Sequence, residues 1–339
     1  MRRGRVVLAL LSAAAAAAAL TLLLPYKGFD ADAYIDIASG TKTTEVARLL
    51  AEGGVVRSRW DFLAVRVLRP RAKLQAGEYL FRQPASAWQT FRRLASGDVF
   101  YYELTVPEGK NIFDIAAAVD KLGTIRGDDF LAAARGATLI RDLAPGAVTL
   151  EGYLFPDTYR ITRHTTATEL CGLMTGRFRQ VWKSISADQQ VHPVVTLASL
   201  LEKETARDEE RPIVASALQN RLRLGMPLDC DPTAIYAALL EHRYYGGLSR
   251  SDLDSKNPYN TYQNAGLPPG PIANPGLSSL KAALNPDKTD FIYFVARPDG
   301  SGLHTFSREL EAHNRAVDKY RRANLKRNQA GAPKSVPRR

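Results

Sequence analysis

Cysteine is nearly absent: Cys171 and Cys230 are the only two in 339 residues. Two thiols so far apart make no disulfide framework of the kind that staples small secreted domains, so they read as unrelated buried thiols. The 45% hydrophobic content allows a sizeable core and more than one domain. Histidine is also scarce. His164, His192, His242, His304 and His313 are scattered, no Cys/His cluster has metal-ligand spacing, and no metal site is expected. No glycine-rich loop opens a helix in the way that cradles phosphate, so no nucleotide is expected, and no other cofactor is either. Acidic residues are missing from both ends of the chain. Arg2, Arg3 and Arg5, with seven Lys and Arg from Arg321 to Arg339, account for ten of the eleven net positive charges. The middle is therefore almost neutral, and a basic groove for nucleic acid is excluded. Residues 321–339, which include Gly331, Pro333 and Pro337, read as a disordered basic tail.

Charge is absent once more from Val6 to Leu24, a run of 19 residues closed by Pro25. That length crosses a ~30 Å hydrocarbon layer. The alanines from Ala13 to Ala19 offer small-residue cleavage sites, as in a signal peptide, but the run exceeds the usual ~7–15 residues of such a segment and ends in leucines. Residues 6–24 are therefore expected to be an uncleaved transmembrane anchor. The arginines of residues 1–5 stay in the cytoplasm, and everything after Pro25 lies outside the membrane.

An internal repeat follows. Gly40, Ala47, Gly54 and Arg57 recur 69 positions later as Gly109, Ala116, Gly123 and Arg126, and Asp61-Phe-Leu-Ala64 recurs as Asp129-Phe-Leu-Ala132. Each copy reads as a strand, a glycine turn and two helices. Units of this size cannot bury their apolar faces alone. Residues 30–100 are expected to form one small α+β module and residues 101–150 a second, related one. From residue 151 to 320 helical patterns dominate. Helices are expected from Thr168 to Ala206, Pro212 to Leu224 and Asp231 to Leu240, with Asp231 as a cap. A Pro/Gly/Asn-rich loop from Asn257 to Gly276, a β-hairpin around Pro298-Asp-Gly-Ser-Gly302 and a last helix capped by Ser307 complete an α+β chain.

One carboxylate stands where a helix would place a hydrophobe. In Leu197-Ala-Ser-Leu-Leu-Glu-Lys-Glu-Thr205, Glu204 follows Leu197, Leu200 and Leu201 by seven, four and three positions, so at about 100° per residue it shares their apolar face. A carboxyl against an apolar wall is poorly solvated as the anion and rises in pKa, which suits a general acid. A partly exposed helix-end glutamate is the plain alternative. Glu202, on the flank, suits a salt bridge, with Arg207 in reach. Tyr153, Phe155, Tyr159, Tyr259 and Tyr262 offer rings that stack on sugars, and Asn260, Asn274 and Gln219 offer hydrogen bonds to hydroxyl and N-acetyl groups. Together they point to a groove for an extended carbohydrate.

Leu150-Glu-Gly-Tyr-Leu-Phe-Pro-Asp-Thr-Tyr159, Ala198-Ser-Leu-Leu-Glu-Lys-Glu-Thr-Ala206, Asn220-Arg-Leu, Asp231-Pro-Thr, Tyr259-Asn-Thr-Tyr262, Gly266-Leu-Pro-Pro-Gly-Pro-Ile-Ala273 and His304-Thr-Phe306 resemble the segments of the YceG-like (MltG) family in a consistent order from about residue 30 to 325. Members of that family are membrane-anchored endolytic murein transglycosylases. The resemblance implies a LysM-like N-terminal module, a mainly helical catalytic domain over 151–320, and Glu204 as the catalytic acid. It implies that Thr205 stands where related enzymes carry a serine after the glutamate. The substrate would be peptidoglycan glycan strands, cut with formation of 1,6-anhydro-N-acetylmuramic acid ends. Peptidoglycan synthases follow as candidate partners, and a role in ending strand polymerisation follows from the membrane attachment. Tyr262 and Asn260 are expected to hold the reacting sugar, with Tyr259, Gln219 and Thr205 also in the substrate site.

Such an enzyme needs one acid where an ordinary glycosidase needs two carboxylates. No second acid stands out, since Glu151 opens a loop motif, Asp157 follows a proline, and Asp229 and Asp231 flank Cys230 at a helix start. Three alternatives stay open. One is a peptidoglycan-binding scaffold without turnover, and another is a water-dependent muramidase using a nearby aspartate. The third, a pyridoxal lyase, is disfavoured because Lys203 lies on the polar side of its helix.

Overall fold

The computed structural model describes residues 20–185 and 190–329. The chain divides into two compact units, one ending at Tyr102 and the other starting at Glu103.

In the first unit β1 (Ala33–Ile37) and β2 (Gly77–Phe81) pair antiparallel, from Ala33 opposite Phe81 to Ile37 opposite Gly77. Between them run α1 (Thr43–Glu52) and α2 (Arg59–Leu68), and α3 (Ala87–Ser96) follows β2. Side chains stop the helices where the pattern changes. Ser58 caps α2 by accepting from Trp60 N, and Ser86 and Gln89 form a reciprocal capping box at the start of α3. Leu50, Phe62, Val65, Tyr79 and Leu94 are wholly buried and knit the helices to the sheet. Burying one such side chain stabilises by roughly 1.5–3 kcal/mol, which a unit this small requires.

The second unit opens with β3 (Tyr102–Thr105), which pairs with β4 (Thr158–Ile161). Between them lie α4 (Ile112–Leu122) and α5 (Gly127–Ala134). Residues 101–150 thus belong to the same compact unit as the residues that follow them. The repeat is visible in three dimensions: β1-α1-α2 and β3-α4-α5 share one order, and Gly40, Gly109, Gly54 and Gly123 all have positive φ. At Gly54 a Cβ would also meet the Gly28 carbonyl, so space and backbone both demand glycine there.

Next come α6 (Ala167–Ile185), α7 (Val191–Glu204), α8 (Arg211–Arg223), α9 (Asp231–Leu240), α10 (Arg250–Leu253) and α11 (Leu277–Leu284). The single helical stretch expected from Thr168 to Ala206 is two helices. α11 packs against α7 and α8, and α9 against α7. The expected hairpin is present as β5 (Tyr293–Ala296) and β6 (His304–Ser307), paired from Tyr293 opposite Ser307 to Ala296 opposite His304.

α12 (Leu310–Gln329) closes the described chain. Ser307 is the last residue of β6 rather than its cap. Residues 321–329 are helical where a disordered tail was expected, because the sequence from Leu310 to Gln329 contains no Gly or Pro to stop a helix. Residues 330–339, the rest of that tail, lie outside the described residues, as does the anchor up to residue 19. Among the described residues no helix is long and apolar enough to cross a membrane. Cys171 and Cys230 are both buried and unpaired.

Candidate active site

Glu204 is the last residue of α7, and Thr205 turns the chain out of the helix in an extended conformation. Leu197, Leu200 and Leu201 are buried on its face, and the chain from residue 195 to 201 is buried throughout. The glutamate itself is half-buried, but its Oε1 is enclosed and accepts no hydrogen bond. A buried polar atom left unpaired is costly and rare, and such atoms gather where a ligand supplies the missing partner. Burial pushes the carboxyl up to about 7. The nearby Cys230 thiol and the Arg221 cation pull it down, while the Asp231 charge adds to the rise. Near neutral pH a large fraction is therefore protonated, ready to donate.

Groups from three segments act on Glu204. Arg221 of α8 donates from Nη1 to the carbonyls of Pro227 and Leu228 and to Asp229 Oδ2, at 3.0, 2.9 and 3.0 Å. It braces a turn in which Asp229 takes a positive φ of 52°, rare for a side-chain-bearing residue. Cys230 and Asp231 then start α9. Cys230 N donates to Thr261 Oγ1 (3.1 Å), and Thr261 N donates to Thr233 Oγ1 (3.1 Å), which ties the loop after α10 onto the start of α9. That loop presents Tyr262, whose hydroxyl donates to Asp231 Oδ1 at 2.6 Å. Asp231 is the first helical residue and Cys230 the cap position, with no side-chain cap at all. The capping role expected for Asp231 is therefore not the one it has.

Glu202 faces elsewhere. It pairs with Arg211 at 3.1 Å, both side chains being 6% exposed, and its Oε2 accepts from Gly276 N (3.0 Å) and Ser279 Oγ (2.7 Å) at the start of α11. It joins three helices. Arg207, the partner expected for it, donates from Nε to the Ser301 carbonyl in the hairpin turn (3.0 Å).

The family model of the YceG-like family matches residues 35–319. The chain belongs to the YceG-like family. A protein of Bacillus subtilis (strain 168) named endolytic murein transglycosylase is 35% identical over 307 residues, 84% of each chain. One of the same name from Streptococcus pneumoniae serotype 2 (strain D39 / NCTC 7466) is 29% identical over 349 residues, which cover 92% of this chain and 63% of the other. The crystal structure of a yceG-like protein from Listeria monocytogenes has a TM-score of 0.54 and 30% identity, covering 84% of this chain and 98% of that one.

In this YceG-like protein several residues expected to bind substrate are instead structural. Asn260 is fully buried, donates to the carbonyls of Asp252, Leu253 and Ser255 (3.2, 3.0 and 2.7 Å) and accepts from Tyr262 N. Its hydrogen-bonding capacity is used up in shaping the loop that carries Tyr262. Asn274 is equally buried, accepting from Leu154 N and donating to the Lys110 carbonyl and Glu151 Oε1. Thr205 is 2% exposed and its Oγ1 accepts from Arg207 N, so it shapes the exit from α7. Tyr153, Phe155 and Tyr159 are core residues, and Tyr153 hydroxyl meets His192 Nδ1 at 2.7 Å. Tyr259 packs its ring on Tyr236, centroids 5.1 Å apart. Gln219 is half-buried on α8 and makes no hydrogen bond among the described residues. Of these, Tyr262 alone is tied to a carboxylate whose charge acts on Glu204.

The family motifs missed as chemistry are mostly braces. Glu151 is buried and accepts from Ile112 N, Tyr236 hydroxyl and Asn274 Nδ2 (2.9, 3.0 and 2.9 Å), locking the start of α4 to α9 and the long loop. His304 donates from its backbone to Glu210 Oε1 and pairs through Nδ1 with Glu210 Oε2 at 2.7 Å, docking the hairpin ahead of α8. Arg221 and Asp231, whose charges act on Glu204, are residues to which the sequence assigned no chemistry. The signal was the acidic pair around Cys230 in front of a helix, but nothing in the order of residues says that it faces α7.

Proposed function

We propose that this chain is an endolytic murein transglycosylase in which Glu204 is the single acid and base. The observation that carries the reading is the enclosed, unpartnered Oε1 of a carboxyl raised to about 7 at the end of α7. The relatives that bear the name endolytic murein transglycosylase support the substrate and reaction class.

The protonated Glu204 gives its proton to the glycosidic oxygen between N-acetylmuramic acid and N-acetylglucosamine. The C1–O bond breaks, its electron pair staying with that oxygen. The muramoyl 6-hydroxyl then attacks C1 and returns its proton to Glu204. A 1,6-anhydro ring results, no water is consumed, and the enzyme is ready again. Because the nucleophile belongs to the substrate, no carboxylate is needed to activate water, and the rate comes from holding the 6-hydroxyl against C1. Tyr262 is the residue read as contacting that sugar, a reading its hydrogen bond to Asp231 supports. The uncharged run Val6–Leu24 anchors the chain in the cytoplasmic membrane with residues 1–5 inside and the catalytic unit outside. The small α+β module of residues 30–100 is the LysM-like glycan-binding part, a reading its size and strand pairing support. Attachment beside nascent strands suits a terminating role and a peptidoglycan synthase as partner.

Mass spectrometry of fragments released from purified glycan strands by the full chain tests this. Anhydromuramoyl ends that vanish in Glu204→Gln are expected. Reducing ends would make the protein a muramidase, and binding without any product would make it a scaffold.

A further inference from the structure

The helix that starts at Asp231 packs against the helix that ends at Glu204, and the charge of this second carboxylate acts on the acid. Asp231 is exposed, yet its Oδ1 is pinned by the Tyr262 hydroxyl at 2.6 Å, while its Oδ2 accepts nothing among the described residues. It sits beside the buried Cys230, whose thiol donates to the Leu228 carbonyl (3.6 Å), and the Thr261 and Thr233 hydrogen bonds fix the start of α9 to the Tyr262 loop. A carboxylate aligned on one oxygen and open on the other is poised to meet positive charge.

We propose that Asp231, aligned by Tyr262, stabilises the cationic sugar formed as the glycosidic bond breaks. The inference rests on the transglycosylase reading above. When the leaving oxygen takes the Glu204 proton and the C1–O electron pair, C1 and the ring oxygen share one positive charge. Attack by the 6-hydroxyl removes it. Asp231 forms no bond and exchanges no proton in this sequence; its fixed negative charge lowers the energy of the cation and then meets a neutral product. The groups facing Glu204 are Arg221 from α8, Cys230 and Asp231 from the start of α9 and Tyr262 from the loop, with Asp229 next to Cys230. Among them Asp231 is the anion that acts on Glu204, and it favours the protonated acid. One residue thus assists both the donor before bond cleavage and the cation after it. An aspartate at the first turn of α9 also favours the helix dipole, by about 0.3–1 kcal/mol, and that role alone leaves catalysis untouched.

The test is the pH dependence of kcat and KM on purified glycan strands for the full chain and its Asp231→Asn, Asp231→Glu and Tyr262→Phe variants, each with a melting curve. Asp231→Asn is expected to lower kcat about 10–100-fold with KM within about twofold, and to move the alkaline limb to lower pH. Tyr262→Phe lowers kcat less and leaves the limb in place. Asp231→Glu keeps the charge and the limb but loses kcat through misplacement, and it carries the test if Asp231→Asn does not fold. A folded Asp231→Asn with unchanged kcat and limb, beside a wild type that makes anhydro ends, overturns this proposal alone. Wild-type reducing ends that disappear in Asp231→Asn make Asp231 a base for water and overturn both readings.

Discussion

Glu202, two residues before Glu204, forms a buried ion pair with Arg211, 3.1 Å apart and each 6% exposed. The neighbouring glutamates of one helix end therefore divide their work by orientation alone. Glu202 has its charge matched by Arg211 and its second oxygen filled by Gly276 and Ser279, whereas Glu204 keeps an oxygen empty.

Glu202→Ala is expected to destabilise the second unit by about 3 kcal/mol, because it leaves the buried Arg211 guanidinium only the exposed Asp208 at 2.9 Å and strands two donors at the start of α11. Urea unfolding followed by circular dichroism measures it, and the folded fraction should still make anhydro ends. An unchanged midpoint would falsify the bracing role.

The raised carboxyl of Glu204 has opposite consequences for activity and stability. Activity should fall as pH rises through about 7, where the acid loses its proton. Stability behaves as follows: the unfolded chain releases this proton near its ordinary 4.5 and the folded chain only near 7, so between those values the native state holds more protons and becomes less stable as pH rises. Glu204→Gln removes that penalty. At pH 8 it should be more stable than wild type by up to on the order of 3 kcal/mol, and near pH 4 the difference should vanish. Thermal melts across pH 4–8 decide it, and a constant difference between the two proteins would sink the assignment.

Asn260→Ala should behave as a loop-folding defect rather than a binding defect. Three backbone carbonyls lose their donor and Tyr262 N its acceptor. A loss of about 2–3 kcal/mol is expected, with kcat reduced through a misplaced Tyr262. A raised KM with unchanged melting temperature and kcat would instead restore Asn260 to the substrate site.

Both thiols should resist alkylation in the native protein. Burial pushes Cys171 up to about 12 and Cys230 well above the usual thiol range, the Glu204 charge adding to the latter. Iodoacetamide at pH 7.5 followed by intact-mass analysis should show no adduct until urea is added. Rapid native labelling at Cys230 would show that the pocket around Glu204 is open to it.

The position of Glu204 was legible in the sequence because helical periodicity is local: seven, four and three residues of spacing place it with Leu197, Leu200 and Leu201 wherever α7 packs. The repeat was legible for the same reason, since Gly40 and Gly109, and Gly54 and Gly123, mark the same left-handed turns. The aromatic and amide residues were not. Tyr153 and Tyr262 are alike as letters, yet one is buried against Phe178 and the other meets Asp231. Asn260 and Asn274 looked like ligand-binding amides because the same groups that hold a sugar also hold a loop.

What this chain's order of residues determines by itself is the set of elements, their ends and the apolar face that carries Glu204, because caps, glycine turns and periodicity act over a few positions. Its family is legible there too. What only the tertiary structure decides is which polar groups are used up. Glu202 is neutralised by a residue nine positions on, Asn260 spends its donor on carbonyls of its own loop, and Asp231 meets a tyrosine 31 positions away. Those pairings depend on how α7, α8, α9 and α11 pack, and burial then sets whether a carboxylate braces the fold or keeps a proton for chemistry.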